Sequence, residues 1–289
     1  MEQQYILKPY KKSSDFAKSP LRYAGGKFYA LKQILPYLYC IEHNEYREPF
    51  LGGGSVFFGK KLCQYNWIND LDTHLINVYR AFADKKTCLQ LIKMLEHEEA
   101  TKERHSEMKD LIPKNVIEEV YKTFYLNRTS YCGIINNPAW GYSEGKSSPP
   151  KNWGNFILDV QPKLARAKIT NEDFSKVITA PAEKGHNVLL YLDPPYFLAD
   201  QKRAYTKSFQ LSDHLKLCEL LKHTTFPFCL SYDNVPEVRD LYSWANIYEL
   251  EWLYNTANIK GKTRQLGREL IITNYRITKI NNQIEIPFV

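Results

Sequence analysis

Val188-Leu189-Leu190-Tyr191-Leu192 runs directly into Asp193-Pro194-Pro195-Tyr196, and this junction is the strongest structural signal in the chain. Five uninterrupted apolar residues have the length of a fully buried strand. Two prolines cannot continue that strand, because each lacks a backbone N–H and fixes φ. An acid and an aromatic ring are left where the strand ends. In open α/β sheets the ligand crevice lies outside the carboxyl ends of the strands, so the junction predicts a binding site.

Helical and strand patterns alternate on both sides of this junction. Strand patterns cover residues 65–70, 169–174 and 226–231, and helical patterns cover 28–39, 73–82, 157–168 and 211–223. Two further segments, 247–254 and 269–275, alternate like the arms of a hairpin. We therefore expect an α/β fold: a Rossmann-like, doubly wound, mostly parallel sheet that closes with a C-terminal antiparallel hairpin.

The region between residues 83 and 156 lacks strand candidates. Its first part is helical and highly charged, and residues 127–153 have the pattern of a long polar loop, for which disorder is the alternative interpretation. The predicted organisation is a catalytic domain of residues 1–82 and 157–289 with a small, mainly helical insert at 83–156. Two apolar stripes are expected to form the core of this insert: Leu89, Ile92, Leu95 and Val116, Val120, Phe124.

The positive charge of the chain is unevenly distributed. The formal net charge is +7, and seven lysines and arginines stand against Asp15 alone between residues 8 and 32. Residues 255–279 hold six basic residues against Glu269. Two basic segments favour a polyanion-binding face, because phosphate contacts supply most non-specific affinity for nucleic acids. Two solvated basic surfaces are the alternative.

The cysteines and the apolar runs indicate the cellular compartment of the protein. Six cysteines are scattered without a Cys-x-x-Cys pair, which argues against a zinc site and a disulfide framework and indicates a reducing compartment. No apolar run approaches the ~18 residues of a membrane span, and no signal peptide is visible. We therefore expect a cytoplasmic protein without a metal centre.

Two glycine-rich turns precede helical patterns, at Gly25-Gly26 and Gly52-Gly53-Gly54. Such turns let backbone N–H groups approach a ligand closely. A nucleotide-triphosphate loop is excluded at the second turn, because Lys61 stands where the magnesium-binding Ser or Thr is required. A dinucleotide fingerprint is excluded because Phe57 replaces its third glycine. The remaining interpretation is a turn that contacts a small ligand without a pyrophosphate.

Asp70 ends the strand pattern 65–70 and lies 18 residues after Gly52. This is close to the position from which an acid reaches ribose hydroxyls in nucleoside-binding α/β folds. Asp72 instead has the position of an N-cap for the next helix. Asp70 is therefore the candidate ribose ligand.

In their joint order and spacing these segments resemble the Dam-type family of S-adenosylmethionine-dependent DNA adenine-N6 methyltransferases. The resemblance covers most of the chain. The matching stretches are Tyr23-Ala24-Gly25-Gly26-Lys27, Glu48-Pro49-Phe50-x-Gly52-x-Gly54-Ser55, Asn69-Asp70, Asn127-Arg128-x-x-Tyr131-x-Gly133, Asp173-Phe174, Asp193-Pro194-Pro195-Tyr196 and Ser231-x-x-Asn234.

The resemblance implies that S-adenosylmethionine is the cofactor and S-adenosylhomocysteine its product. The residues implied to surround the cofactor are Tyr23, Ala24, Gly25, Gly26, Lys27, Glu48, Phe50, Gly52, Gly54, Ser55, Asp70, Asp173, Phe174 and Asp193. The implied catalytic residues are Asp193, Pro194, Pro195 and Tyr196, which would hold an adenine flipped out of double-stranded DNA for direct transfer of the methyl group. No metal is required for this chemistry.

The expected DNA contacts come from the basic segments and from the polar loop. The candidate DNA-binding residues are Lys18, Arg22, Asn127, Arg128, Thr129, Ser130, Tyr131, Asn136, Asn137, Tyr205, Lys260, Lys262 and Arg264. The loop after Gly133 does not match that of family members that methylate GATC, so no recognition sequence is implied. The enzyme would belong to a restriction-modification system with a companion endonuclease, or be an orphan or phage enzyme.

Two classes of alternative remain open at this point. The same fold serves cytosine-N4, RNA and protein-amide acceptors, although an Asp before Pro-Pro-Tyr favours adenine and the basic segments disfavour a protein substrate. A DNA-binding module without catalysis is the alternative from a different class. Binding of S-adenosylmethionine separates an enzyme from such a module.

Overall fold

The computed structural model describes residues 4–7, 10–23, 25–134, 136–197, 209–253 and 266–278. Its strands are β1 (Gln4–Ile6), β2 (Glu45–Glu48), β3 (Tyr65–Asn69), β4 (Lys168–Thr170), β5 (Val188–Leu192), β6 (Phe228–Asp233), β7 (Asn246–Leu253), β8 (Leu266–Thr273) and β9 (Arg276–Thr278). Its helices are α1 (Leu31–Tyr39), α2 (Ser55–Gly59), α3 (Thr73–Ala83), α4 (Lys85–Leu95), α5 (Lys102–Asp110), α6 (Val116–Thr129), α7 (Trp153–Leu164), α8 (Phe174–Thr179), α9 (Leu211–His223) and α10 (Pro236–Leu241).

A seven-stranded sheet in the order β4-β3-β2-β5-β6-β8-β7 forms the centre of the structure. β4, β3, β2, β5 and β6 pair in parallel, whereas β8 runs antiparallel to both β6 and β7. The predicted α/β fold with a C-terminal antiparallel hairpin is therefore confirmed. A separate parallel pair of β1 and β9 was not predicted.

The order of strands reverses between β2 and β5. The next strand along the chain after β2 lies on one side of it, and β5 and β6 lie on the other. Arg47 of β2 pairs with Leu190 of β5, so the two carboxyl ends lie side by side. This arrangement places Glu48 next to Asp193 at the switch point, where open α/β sheets bind their ligands.

The helices pack on both faces of the sheet, and the helical region 83–156 shares its core with the rest of the chain. The Phe124 ring of α6 meets Phe82 of α3 edge-on at 5.4 Å, and Trp153 of α7 at 6.2 Å. All three residues belong to the hydrophobic cluster that also contains Leu189 and Tyr191 of β5. No helix in the described part of the chain is long and apolar enough to span a membrane.

Several element boundaries in the described part of the chain differ from the sequence prediction. The strand expected at 169–174 ends at Thr170, because Asp173 accepts a hydrogen bond from the Ser175 amide and starts α8 as its N-cap. The helix expected at 157–168 is shifted towards the N-terminus and covers Trp153–Leu164. Asn127, Arg128 and Thr129 belong to the last turn of α6 rather than to a loop.

The predicted apolar stripes of the helical region are partly wrong. Leu89 and Val116 are exposed. In α4 the buried face consists of Cys88, Leu91 and Leu95, which repeat at three- and four-residue intervals, and Leu89 falls outside this face. Val116 is the first residue of α6, where the helix has not yet reached the core.

Asn69, the last residue of β3, connects three strand ends. Its side chain is completely buried, and its amide donates to the carbonyls of Pro49 at 3.0 Å and Glu172 at 2.9 Å. Its Oδ1 accepts from the Thr170 hydroxyl at 2.7 Å and the Glu172 amide at 2.9 Å. One short side chain therefore fixes the segments that follow β2, β3 and β4 relative to each other.

Replacing Asn69 with alanine should lower the free energy of unfolding by about 3 kcal/mol, because four buried hydrogen-bonding groups lose their partner. The matched control is Asn44→Ala, at the opposite end of the sheet, whose side chain makes two bonds near the surface. The free energy of unfolding of that control should fall by about 1 kcal/mol or less. Urea unfolding of both variants tests the difference, and equal losses would contradict the role assigned to Asn69.

Candidate active site

A buried ion pair lies at the switch point. The Lys27 ammonium is 2.8 Å from Oδ1 of Asp193, and the Lys27 side chain is only 5% exposed. Burial raises the pKa of Asp193 from its ordinary value, and the charge and hydrogen bond of Lys27 oppose this shift. Lys27 therefore favours the ionised carboxylate at a position where burial alone would disfavour it.

The segment that carries Lys27 is held against the second glycine turn by Tyr23. A Cβ on Gly52 would lie 2.9 Å from Cε1 of Tyr23, and a Cβ on Gly53 would lie 2.7 Å from its Cβ. Gly52 also has a φ of +48°, a conformation that favours glycine. The turn before α2 is thus packed against Tyr23, and Ser55 lies 3.5 Å from where a Cβ of Gly26 would be.

Asp70 fixes the same turn from the other side. Its carboxyl accepts hydrogen bonds from the Gly52 amide at 2.8 Å and from the Asp72 amide at 3.0 Å. Burial raises the pKa of Asp70 to about 6, although these backbone bonds oppose the shift. Each carboxylate oxygen still has a second lone pair, so Asp70 can order the turn and accept a ligand hydroxyl as well. As predicted, Asp72 caps α3, and its side chain accepts from the amides of His74 and Leu75.

Glu48 is a buried acid beside Asp193. The Tyr46 hydroxyl donates to its Oε2 at 2.6 Å. Burial raises the pKa of Glu48 to about 8, the nearby charge of Asp193 raises it further, and the Tyr46 hydrogen bond opposes the shift. Two acids so close together disfavour ionisation of both, and a cation bound between them would favour it.

Tyr196 lies over the ion pair. Its ring centroid is 4.7 Å from the Lys27 ammonium, and its hydroxyl donates to the carboxyl of Glu269 on β8. The ring stacks on Tyr232 of β6, with centroids 6.0 Å apart and planes at 30°. The next residue, Phe197, donates its amide to Asp233 at 3.1 Å. The turn after β5 is therefore tied to β6 and β8, and Pro194 is buried within it.

A group of aromatic rings borders the switch point on the side of β2 and α8. Phe50 stacks on Phe174 at 5.1 Å and 30°, and Phe209 contacts both rings at 5.7 Å. Lys216 donates to Asp173 at 2.9 Å and places its ammonium 4.9 Å from the Phe174 ring centroid. Flat apolar surfaces of this kind suit a nucleobase or a nucleoside.

The predicted DNA-binding residues differ in how far they are exposed to solvent. Asn127, Thr129 and Ser130 are buried to 1% exposure or less. Asn127 donates to the carbonyls of Arg22 and Gly133 and accepts from the Arg22 amide, so its bonding groups are directed at the protein backbone. In this conformation Asn127 positions the segment, and none of the three side chains is accessible to DNA.

Arg22 and Arg128 are half-buried and also make internal contacts. Arg22 donates to the carbonyl of Ser130 at 3.1 Å. The Arg128 guanidinium lies 4.7 Å from the Phe156 ring centroid, and burial together with the charge of Arg22 lowers its pKa to about 10. The exposed candidates are Lys18, Tyr131, Asn136 and Asn137. Ala24, Tyr205, Lys260, Lys262 and Arg264 lie outside the described residues.

Known proteins similar to this chain indicate what the site does. The chain matches the family of D12 class N6 adenine-specific DNA methyltransferases over residues 23–256. The chain belongs to this family. The match includes every strand and helix of the switch point described so far except β8, which lies beyond it.

Named relatives cover most of the chain. A Type II methyltransferase, M1.LlaDCHI of Lactococcus lactis subsp. cremoris, is 29% identical over 88% of this chain and 94% of its own length. The DNA adenine methylase of Escherichia coli K12 is 23% identical over 87% of this chain and 93% of its own. The DNA N-6-adenine-methyltransferase of Escherichia phage P1 is 25% identical over 90% of this chain, which spans 36% of that longer protein.

The switch point of this D12-class chain fits S-adenosylmethionine, which membership of a methyltransferase family implies. The cofactor carries a sulfonium and an ammonium, and Glu48 and Asp193 offer it two adjacent acids whose pKa values are raised by burial. Asp70 offers lone pairs for hydroxyls, and the Phe50 and Phe174 rings offer apolar faces for adenine. Among the described residues, no group of three His, Cys, Asp or Glu side chains could hold a metal ion.

Several residues of the site were not predicted from the sequence, and three of them form contacts that hold the site together. Asn69 connects strand ends, Asp233 anchors the turn after Tyr196, and Glu269 contacts Tyr196 and Lys27. A weak signal existed for Glu269, because it is an acid directly before the apolar run Leu270-Ile271-Ile272. Its partners are far away in sequence, so periodicity alone could not assign them.

Replacing Glu48 with glutamine should change the pH dependence of stability in the ligand-free protein. The folded pKa of about 8 exceeds the ordinary value of 4.5, so between these values the native state keeps a proton that the unfolded state has lost. Wild-type stability should therefore fall as pH rises through this window. The variant has no carboxyl at this position and avoids this loss. Its free energy of unfolding at pH 8.5 should exceed that of the wild type by at least ~1 kcal/mol, since one pKa unit corresponds to ~1.4 kcal/mol.

Urea unfolding at pH 4.5, 6.5 and 8.5 measures this difference. Glu42→Gln, an exposed acid in the turn before β2, is the matched control and should track the wild type at every pH. A constant difference between Glu48→Gln and the wild type across this pH range would contradict the raised pKa of Glu48.

Proposed function

We propose that this chain transfers a methyl group from S-adenosylmethionine directly to the N6 amine of an adenine flipped out of double-stranded DNA. The observation that carries the proposal is the carboxyl of Asp193, which follows β5 and lies 2.8 Å from the Lys27 ammonium at the switch point. Membership of the D12 class supports the adenine acceptor. The chain would act in the cytoplasm, and a companion endonuclease is a further expectation, since Type II methyltransferases are among its relatives.

Asp193 and the carbonyl of Pro194 are the proposed acceptors for the two N–H groups of the adenine amine. This amine is a poor nucleophile, because its lone pair is conjugated into the ring. Two acceptors out of the ring plane would favour a pyramidal nitrogen whose lone pair can attack. Lys27 contributes by favouring the ionised form of Asp193, since a protonated carboxyl would be a weaker acceptor.

Tyr196 is the proposed platform for the flipped base. Its ring is held on one side by Tyr232 and at its hydroxyl by Glu269, so its orientation is fixed before a base arrives. Unstacking a base from the duplex costs a few kcal/mol. Stacking on an aromatic side chain is worth roughly 1–3 kcal/mol and offsets much of that cost.

The cofactor would be held on the β2 side of the same edge. S-adenosylmethionine supplies an activated methyl group on a sulfonium, so the protein has to orient the reactants and exclude water. Glu48 would contact the cationic part, Asp70 the ribose hydroxyls and the Phe50–Phe174 pair the adenine. Tyr23 and the Gly52 turn would line the site between Glu48 and Asp70.

The proposed DNA surface combines the segment around Arg22 with residues 129–134 and 136–141. These segments pack closely, because a Cβ on Gly133 would lie 2.3 Å from the carbonyl oxygen of Arg22. Lys18 and Tyr131 are exposed beside them, and the Tyr131 side chain is 59% exposed. Region 83–156 would thus supply target recognition, and the N-terminal segment would supply phosphate contacts.

Asp193→Asn should reduce methyl transfer at least about a hundredfold, because the amide offers a weaker, partly misoriented acceptor at the reacting nitrogen. Transfer of labelled methyl from S-adenosylmethionine to unmethylated genomic DNA, followed by nucleoside analysis, measures both rate and product. The exposed Asp240→Asn in α10 is the matched control and should keep the wild-type rate.

Label in N6-methyladenine that is lost in Asp193→Asn would support acceptor and residue together. Label in N4-methylcytosine would refute the adenine acceptor. An Asp193→Asn variant as fast as the wild type would remove Asp193 from the mechanism, and failure of the wild type to bind S-adenosylmethionine would refute the proposed function.

Lys18→Ala should weaken DNA binding and reduce the slope of log affinity against log salt concentration by about 1, as expected for the loss of one phosphate contact. The matched control is Lys222→Ala in the last turn of α9. Because α9 leads from the carboxyl end of β5 back to the start of β6, Lys222 lies at the opposite edge of the sheet. Fluorescence anisotropy at several salt concentrations tests this, and an unchanged slope in Lys18→Ala would exclude a phosphate contact.

A further inference from the structure

Lys27 lies between two buried carboxyls and not one. Its ammonium is 2.8 Å from Oδ1 of Asp193 and 3.9 Å from Oε2 of Glu269, and the Glu269 side chain is only 4% exposed. Glu269 is on the antiparallel strand β8, where it pairs in register with Asp233 at the end of β6. It therefore reaches the switch point from an element outside the family match.

Tyr196 determines where the carboxyl of Glu269 lies. The Tyr196 hydroxyl donates to Oε2, the same oxygen that faces Lys27. Burial and the charges of Asp193 and Glu269 raise the pKa of Tyr196 well above its ordinary value, so the hydroxyl keeps the proton that it donates to this oxygen. Glu269 is thus held at a fixed place beside the ammonium.

This geometry matters for the proposed reaction, on which the present inference rests. A lysine paired with Asp193 alone would hold the carboxylate that has to accept the adenine amine, and releasing it would leave a buried, unpaired ammonium. A second carboxylate within reach removes that penalty, because the ammonium can shift towards it. We propose that Glu269 is a positioning residue for methyl transfer: as the alternative partner of Lys27, it leaves Asp193 able to bind the target amine.

Two substitutions of Glu269 separate its charge from its shape. Glu269→Gln keeps the size and an acceptor for the Tyr196 hydroxyl but removes the negative charge. Glu269→Asp keeps the charge but is shorter by one methylene. If the charge towards Lys27 matters, the order of transfer rates is wild type, then Asp, then Gln. If only packing matters, the Gln variant is the faster of the two.

The measurement is single-turnover transfer of labelled methyl, with enzyme in excess over sites in unmethylated genomic DNA and with saturating S-adenosylmethionine. The plateau rate of Glu269→Gln should fall about tenfold to a hundredfold, the range expected for losing an interaction with a charged group. The enzyme concentration at half-saturation and the Kd for S-adenosylmethionine, measured by calorimetry, should change less than about twofold, as expected for an effect on the bound complex.

Glu251→Gln is the matched control, because Glu251 is an acid on the neighbouring strand β7 whose exposed side chain pairs with Arg268. Its plateau rate, its half-saturating concentration and its Kd for S-adenosylmethionine should match those of the wild type. A Glu269→Gln variant that transfers at the wild-type rate, that is faster than Glu269→Asp, or that no longer folds would overturn the proposal while leaving the proposed function intact. A wild type that labels no adenine would overturn both.

Discussion

The site depends on one buried ion pair, between Lys27 near the start of the chain and Asp193 after β5. Neither charge is stable alone in this environment, since burial disfavours a lone ammonium and a lone carboxylate alike. The pair therefore requires that Tyr23 and residues 25–27 lie at the carboxyl end of the sheet. The packing of Tyr23 on the glycine turn and the contact of that turn with Asp70 provide this seating.

Side chains that bond to backbone hold this edge of the sheet together. Parallel strands end here, so the segments that follow them have no ladder partners of their own. Asn69 and Asp70 supply those missing bonds to three neighbouring segments, and Asp233 does the same for the turn after Tyr196. The edge is rigid without regular secondary structure, which is the property that a preorganised site requires.

The sequence predicted what local patterns determine. The apolar run before Asp193, the strand expected at 65–70 and the N-cap at Asp72 all depend on neighbouring residues, and the structure has all three, with the strand ending at Asn69. The prediction failed where the same polar residue is compatible with two local structures. Asp173 was expected near the end of a strand, but it caps a helix. Glu269 illustrates a second limit of sequence-based prediction. Its contact with Tyr196 joins residues 73 positions apart, and such a contact produces no periodic pattern in the sequence.

The hairpin of β7 and β8 has a geometric consequence. The pairing of β8 with β6 begins at Glu269, but β8 itself begins at Leu266 and stays paired with β7 to that point. The two-stranded arm thus overhangs the sheet by three residues, or about 10 Å at the rise of an antiparallel strand. It does so on the edge that carries Asp193. Because the overhanging residues pair only within the arm, substitutions in them would leave the register of the parallel strands untouched.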